Sequence, residues 1–386
     1  DGLPDRSESI GASASGANHG MAYWDGNIYI SNDSTVWRWK YKLGANRVTS
    51  SRETVMINID RDGKGGAPDG HTTRTLAFDA QGRLYISVGS AGNVDADSHR
   101  SRIRRLDLSS SNALPLDFQK AEVFADGLRN EVGLAFDLHQ VLWGVENGAD
   151  NLRRKDLGGD IHNENPAEEL NRFPEELAGS HWGYPECWSE YKLPESIGRG
   201  AGTQWAWPGS VVTDKICRTE RIPSELAMQA HSAPLGIVFY NYTNSHAKGC
   251  SGAFPESMHG HAFIAFHGSW NRDIPTGYKV VSVPMTSNGT VDTSEPLDLL
   301  ARASPNAQWN SGYRPVDVDF DECGRLLVTS DGTRGRGSNV VRIAYGDQAC
   351  CGQPSVGLLY ESSSAGYSLL GCFLWLLVMT VMLLFK

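Results

Sequence analysis

Apolar and polar residues alternate along this chain in short runs, and no long stripe of helical period interrupts them. The clearest run is Leu76, Ala77 and Phe78, then a polar turn from Asp79 to Gly82, then Leu84, Tyr85, Ile86 and Val88. Two apolar segments joined by a short turn with glycine near its end predict a β-hairpin. The pattern recurs from Gly20 to Ser31, from Gly133 to Glu146 and from Val316 to Ser330. A further copy pairs Gly236–Tyr240 with Ala262–Ser269. Extra strands are predicted after several copies, at Val36–Lys40, Ile103–Leu106, Lys279–Val283 and Val340–Ile343. Corresponding ends fall at Ser31, Ser87, Glu146, His267 and Ser330, in steps of 56, 59, 121 and 63 residues. A repeat of that size with several strands reads as a propeller blade. The long step holds a polar, proline-rich stretch, about 159–230, read as an insertion, with a hidden blade as the alternative. The expected fold is all-β: a six-bladed propeller over residues 1–347 whose first blade is missing or incomplete.

Composition adds little until the tail. The 386 residues are 40% hydrophobic with 42 glycines, which suits many strands and tight turns. A net charge of -10 is the wrong sign for a nucleic-acid footprint. The stretch 367–385 is almost wholly apolar and long enough to cross a bilayer, after a linker at 348–366. It predicts a transmembrane helix, or a lipid-anchor signal given the small residues Ser362 to Gly366 before it. Either places the folded part on the extracellular face of a membrane, where disulfides persist. Asn32, Asn241 and Asn288 each open an N-glycosylation tripeptide, which agrees with that placement. Of seven cysteines, Cys187 and Cys217 share the loop-rich insertion and are expected to pair. No zinc-type spacing occurs. The chain begins at Asp1 without a signal peptide, so a fragment or processed product is expected.

Candidate chemistry collects at the ends of the hairpins. His71 precedes the second copy; Gly127-Leu128-Arg129-Asn130 precedes the third. His267-Gly268-Ser269-Trp270-Asn271-Arg272 follows the fourth, and Asn310 to Asp317 leads into the fifth with Tyr313-Arg314-Pro315. Such loops converge at one mouth of a propeller. Arg129, Arg272 and Arg314 there would make a cationic pocket in an acidic protein, suited to a small polyanion with carboxylates.

These runs, with Gly159-Asp160-Ile161-His162-Asn163-Glu164-Asn165-Pro166-Ala167-Glu168-Glu169-Leu170-Asn171 and His181-Trp182-Gly183-Tyr184-Pro185, resemble the pyrroloquinoline-quinone (PQQ) sugar dehydrogenases. That family includes soluble glucose, sorbosone and eukaryotic pyranose dehydrogenases, the last looking most similar. The resemblance covers most of Asn18 to Tyr345. It implies an oxidoreductase that moves hydride from a sugar hydroxyl to PQQ with calcium assisting. His71 then falls at the general base, a task suited to imidazole. Arg129, with Asn130 beside it, falls where the reactive quinone carbonyl is polarised. Arg272 and Arg314 fall where the cofactor's carboxylates are neutralised, and Asn163 and Glu164 where backbone carbonyls meet calcium. Two departures stand out. Gly70 occupies a position that is acidic in some relatives, and a cofactor contact on a complete first blade has no counterpart. The implied partners are a sugar, an unidentified electron acceptor and, through the tail, a membrane. Two other readings remain at this point: a non-catalytic propeller ectodomain that binds protein or glycan, as in hedgehog-interacting proteins, and a calcium-dependent lactonase-type propeller.

Overall fold

A computed structural model describes residues 16–45, 47–59, 70–97, 99–109, 114–243, 251–302, 308–309, 311–334, 336–346 and 357–359. The described strands form five blades, each an antiparallel meander of four strands in chain order. Blade 1 comprises Met21–Trp24, Asn27–Ser31, Val36–Lys40 and Glu53–Ile57. Blade 2 comprises Leu76–Phe78, Arg83–Val88, Arg102–Asp107 and Glu122–Asp126. Blade 3 is built from Glu131–Phe136, Leu142–Glu146, Glu168–Phe173 and Leu226–Met228. Pro234–Phe239, Ala262–Phe266, Lys279–Val283 and Leu297–Leu300 form blade 4; Pro315–Phe320, Leu326–Ser330, Asn339–Gly346 and Gly357–Leu359 form blade 5. All five hairpins read from the sequence are present as the first two strands of a blade.

The alternation in each strand has a clear destination. In the second strand of blade 4, Ala262, Ile264 and Phe266 pack toward blade 3, against Trp143, Val145 and Leu170. The intervening Phe263 and Ala265 pack toward blade 5, against Val318, Val328 and Val341. Blade 2 repeats this, with Leu84, Ile86 and Val88 facing Tyr29 and Val55 of blade 1, and Tyr85 facing Leu142 and Phe173 of blade 3. Both faces of an interior blade are therefore buried, and the core lies between blades.

An aspartate, buried in blades 2 and 3 and half-buried in blade 5, organises three of the hairpin turns. Asp79, Asp137 and Asp321 each accept, through one carboxylate oxygen, the backbone N–H groups two and four residues on. The second oxygen takes a side-chain donor: Tyr85 Oη and Arg83 Nε on Asp79, Trp143 Nε1 on Asp137, Arg325 Nε on Asp321. Gly82 and Gly324 hold the left-handed position of this turn, with φ of 82° and 69°, and Gln140 holds it in blade 3 at 62°.

The stretch 159–230 differs from expectation. It is not wholly an excursion, because Glu168–Phe173 and Leu226–Met228 are the third and fourth strands of blade 3. What leaves the blade lies between them and in the loop that precedes Glu168. Together these parts have their own small core of Leu152, Leu157, Trp188, Leu193 and Trp205. The expected Cys187–Cys217 disulfide closes it, from the strand Cys187–Ser189 to the helix Asp214–Glu220. Cys323 is also disulfide-bonded. Two short parallel strands join neighbouring blades. Leu116–Asp117, from the loop between the last two strands of blade 2, pairs with the outer strand of blade 1. Ser180–His181, from the equivalent loop of blade 3, pairs with the outer strand of blade 2. Among the described residues no helix is long and apolar enough to cross a membrane. The apolar stretch 367–385 lies outside them.

Two measurements test these supports. Asp137→Ala strands the buried Trp143 indole N–H and two backbone donors; leaving a buried donor unpaired costs about 1–3 kcal/mol, so urea unfolding should show a loss of at least that size. The 30-residue separation of Cys187 and Cys217 corresponds to roughly 3–4 kcal/mol of chain entropy, so Cys187→Ser/Cys217→Ser should lose stability of that order in the same assay.

Candidate active site

In an antiparallel hairpin the start of the first strand and the end of the second share one edge. His71, Arg129, Asn130, Arg272 and Arg314 sit beside those two places, and Asn163 and Glu164 just before the third strand of blade 3, which starts at the same edge, so the topology alone gathers them on one face of the propeller. His71 lies before the first strand of blade 2, and its backbone N–H bonds the carbonyl of Ser90, just past the second strand. The Ser90 N–H in turn reaches the Arg129 carbonyl before blade 3, and the Asn147 N–H reaches the Asn130 carbonyl. Two glycines permit the close approach around the imidazole. A Cβ on Gly89 would fall 2.6 Å from His71 Cβ and 2.5 Å from Asn130 Oδ1. A Cβ on Gly70 would fall 2.4 Å from the Ala91 carbonyl oxygen, so this backbone has no room there for the acid found in some sugar dehydrogenases.

The hydrogen bonds define the imidazole tautomer. Nδ1 lies 3.1 Å from the Ser90 carbonyl and 3.0 Å from Ser90 Oγ. The carbonyl only accepts, and the hydroxyl hydrogen is given to the Gly92 carbonyl at 2.7 Å. Nδ1 therefore carries the proton and Nε2 the lone pair. Burial first, and the nearby Arg129 charge second, lower the pKa of His71 to about 4. The ring is neutral at ordinary pH, and its Nε2 has no hydrogen-bond partner among the described residues.

Arg129 is buried and completely engaged. Nε donates to the Asn93 carbonyl, Nη1 to the carbonyls of Asn147 and Gly148, and Nη2 to Asn93 Oδ1 and Asp150 Oδ2. These bonds account for all five of its N–H groups. Asp150 also accepts from Asn271 Nδ2 at 3.1 Å, one residue before Arg272. The Arg272 guanidinium donates through Nη2 to Glu164 Oε1 at 2.5 Å and through Nη1 to the Ala230 carbonyl; its Nε is buried without a partner among the described residues. Asn163 is tied to Asp273 in both directions, Nδ2 to the carboxylate at 2.9 Å and Oδ1 from the Asp273 N–H at 3.0 Å. Arg314 donates to the carbonyls of His267 and Gly268 and lies over the Tyr278 ring at 5.4 Å.

The structure thus joins His71, Arg129, Asn130, Arg272, Asn163 and Glu164 into one connected framework, with Arg314 on the adjoining rim loop. Four members of that framework carried no signal in the sequence reading: Ser90, Asn93, Asp150 and His231. His231, whose Nε2 bonds the His162 carbonyl, holds the 162–164 loop against blade 4. Each sits alone in a loop, and its partners in the framework lie 19 to 121 residues away. The side chains of Asn163 and Glu164 are spent on Asp273 and Arg272, and their backbone carbonyls accept no hydrogen bond among the described residues. Among those residues no set of three or more carboxylate, imidazole or thiol groups could hold a metal ion. A calcium ion here would rest on main-chain oxygens, which it accepts readily. The partnerless Arg272 Nε supplies a donor of the right kind for a carboxylate. The donor set therefore fits a cofactor that bears carboxylates and shares a cation with the main chain.

Beneath Arg129 lies a buried acidic group. Glu146 Oε1 accepts the Arg129 backbone N–H at 2.6 Å, and Asn171 Nδ2 bridges Glu146 and Glu131. Glu169 pairs across the strand from Glu146. Burial raises the pKa of all three, well above the carboxylate range for Glu131 and Glu146. A raised folded-state pKa favours the protonated form, so this stability is present at low pH and lost as pH rises from the unfolded value through the folded one. Glu131→Gln should therefore flatten the alkaline fall in stability, read as melting temperature against pH.

A model of the TrAA12-like family matches residues 5–337. A PQQ-dependent sugar dehydrogenase of Hypocrea jecorina is 32% identical over 346 residues, covering 82% of this chain and 72% of the relative. A PQQ-dependent pyranose dehydrogenase of Coprinopsis cinerea is 28% identical over 82% of this chain, which spans only 45% of that relative's length. Among solved structures, the calcium structure of the Trichoderma reesei carbohydrate-active enzyme family AA12 superposes with a TM-score of 0.71 at 30% identity, covering 84% of this chain and 80% of the other. The holo form of the Coprinopsis cinerea pyranose dehydrogenase PQQ domain gives 0.70 at 27% identity, with 84% and 81% covered.

Proposed function

The chain belongs to the TrAA12-like family, and on that premise we propose that it oxidises a hydroxyl group of a pyranose or other aldose sugar. It is a PQQ-dependent sugar dehydrogenase, and its cofactors are PQQ and Ca2+. The observation that carries the reading is His71: a neutral imidazole with its proton pinned at Nδ1 and, among the described residues, no partner on its Nε2 lone pair, on the rim where the arginines collect.

When bound, the quinone supplies the hydride acceptor and calcium the Lewis acid. The chain's own residues do the rest. His71 Nε2 takes the proton of the sugar hydroxyl. Arg129, its N–H groups spent on the framework, acts as a fixed positive charge beside the reacting centre and keeps His71 deprotonated. Asn130 flanks it. Arg272 and Arg314 grip carboxylates, and the carbonyls of Asn163 and Glu164 hold the cation. The ring completes to six blades in this reading. The folded part faces the exterior of a membrane, held by the 367–385 segment; the Cys187–Cys217 disulfide and the exposed asparagines Asn241 and Asn288 of two glycosylation tripeptides support that side.

Steady-state dye reduction across a sugar panel, with cofactor occupancy followed by absorbance, tests the assignment. His71→Ala should lower turnover by about 10²–10⁴-fold at full occupancy, the usual worth of a general base. Near-wild-type turnover would overturn the role. Arg272→Ala and Arg314→Ala should weaken cofactor binding before turnover. In wild type, kcat/KM should fall on the acid side only as pH drops toward about 4, because protonating His71 removes the base. An acid limb near the free imidazole value would contradict the burial of this ring.

A further inference from the structure

The rim loop between Ser269 and Thr276 is fastened on every side. Its base is closed by Ser269 N–H to the Thr276 carbonyl and Thr276 N–H to Ser269 Oγ, both at 2.9 Å, with both residues buried. The Tyr278 hydroxyl donates to the Ser269 carbonyl. Further along, Asn271 is held by Asp150, Arg272 by Glu164 and Ala230, and Asp273 by Asn163. The exceptions are its two largest apolar side chains. Trp270 is 74% exposed and Ile274 54% exposed.

A single exposed apolar residue is ordinary on a protein surface. Trp270 differs in where it stands and in how firmly its backbone is held. It is one residue from Asn271, whose side chain bonds the same Asp150 that holds Arg129. The indole therefore stands on a loop whose backbone is held, through Asn271 and Asp150, to the loop that holds Arg129. An aromatic side chain has few torsions to freeze, so it binds at low entropic cost. Its face covers the C–H face of a neutral pyranose ring, and its N–H, without a partner among the described residues, suits a sugar hydroxyl. Depth decides which ring. His71 is half-buried and Arg129 buried, while Trp270 is largely exposed. A ring seated on Trp270 is not the one whose hydroxyl meets His71.

We propose that Trp270, with Ile274 exposed on the same loop, forms an outer subsite for a second pyranose unit, so that the substrates include di- and oligosaccharides. This rests on the sugar-oxidising reading but is testable without it. Binding of one homologous ladder, glucose to cellohexaose, is measured by calorimetry on protein both with and without PQQ and calcium. Wild type should bind cellobiose and longer members more tightly than glucose. Trp270→Ala should lose about tenfold of that preference, the size of one good aromatic contact, and Trp270→Phe should keep most of it. Val211→Ala, at a residue 92% exposed on the insertion, controls for surface substitution and should bind like wild type. A Trp270→Ala protein with the wild-type length preference, or a wild type with none, overturns the subsite. Length-dependent binding that needs Trp270, in a protein with no dehydrogenase activity, upholds the subsite and overturns the reaction.

Discussion

Burying a guanidinium is costly unless every N–H finds an acceptor, and the rim of this propeller is arranged around meeting that demand at Arg129. Its acceptors come from two loops: the one after the second strand of blade 2 through Asn93, and the one after the second strand of blade 3 through Asn147, Gly148 and Asp150. Asn93 also takes the Asp150 N–H on Oδ1, so removing either partner would leave the other short. Glu168, itself buried and with its pKa raised to about 8, fastens Gly148 to Ala233 at the start of blade 4. One charge thereby orders loops from blades 2, 3 and 4.

The same charge shapes the chemistry. It disfavours a second positive charge on His71 and so works with burial to keep that ring a base. Below it, Glu146 binds the Arg129 main chain while its raised pKa keeps the acidic group from answering the guanidinium with full negative charge. The remaining cavity beside Glu146, Glu169, Ser189 and Gln204, about 20 Å³, has space for one water.

Much of this was legible in the chain. The five hairpins were readable because each joins two apolar runs through a compact turn, and in blades 2 and 5 the Asp-to-Gly spacing marks that turn. The outer strands were harder. Glu53–Ile57, Glu122–Asp126 and Leu297–Leu300 are short and have no tight turn of their own to announce them. Leu226–Met228 is too short for any period to show, which is why blade 3 merged with the insertion. His71, Arg129, Arg272 and Arg314 were found because they flank the hairpins, and antiparallel pairing brings those flanks to one edge. Asn93, Asp150 and His231 were missed because their roles exist only through partners distant in the chain. The apolar span 367–385 and the cysteines at 250, 350, 351 and 372 lie outside the described residues.

The two short parallel strands carry a consequence for how this molecule comes apart. An outer strand offers unpaired backbone groups to any passing chain. Here the outer strand of blade 1 is paired by Leu116–Asp117 and that of blade 2 by Ser180–His181, each lent by the following blade. A blade that frays takes with it the clasp on its neighbour. Loss of order spreads backward along the chain, so blades 1 to 3 form one cooperative unit rather than three independent ones. Hydrogen exchange would then report one shared opening for their outer strands, and a protease would meet either a closed surface or three blades released together.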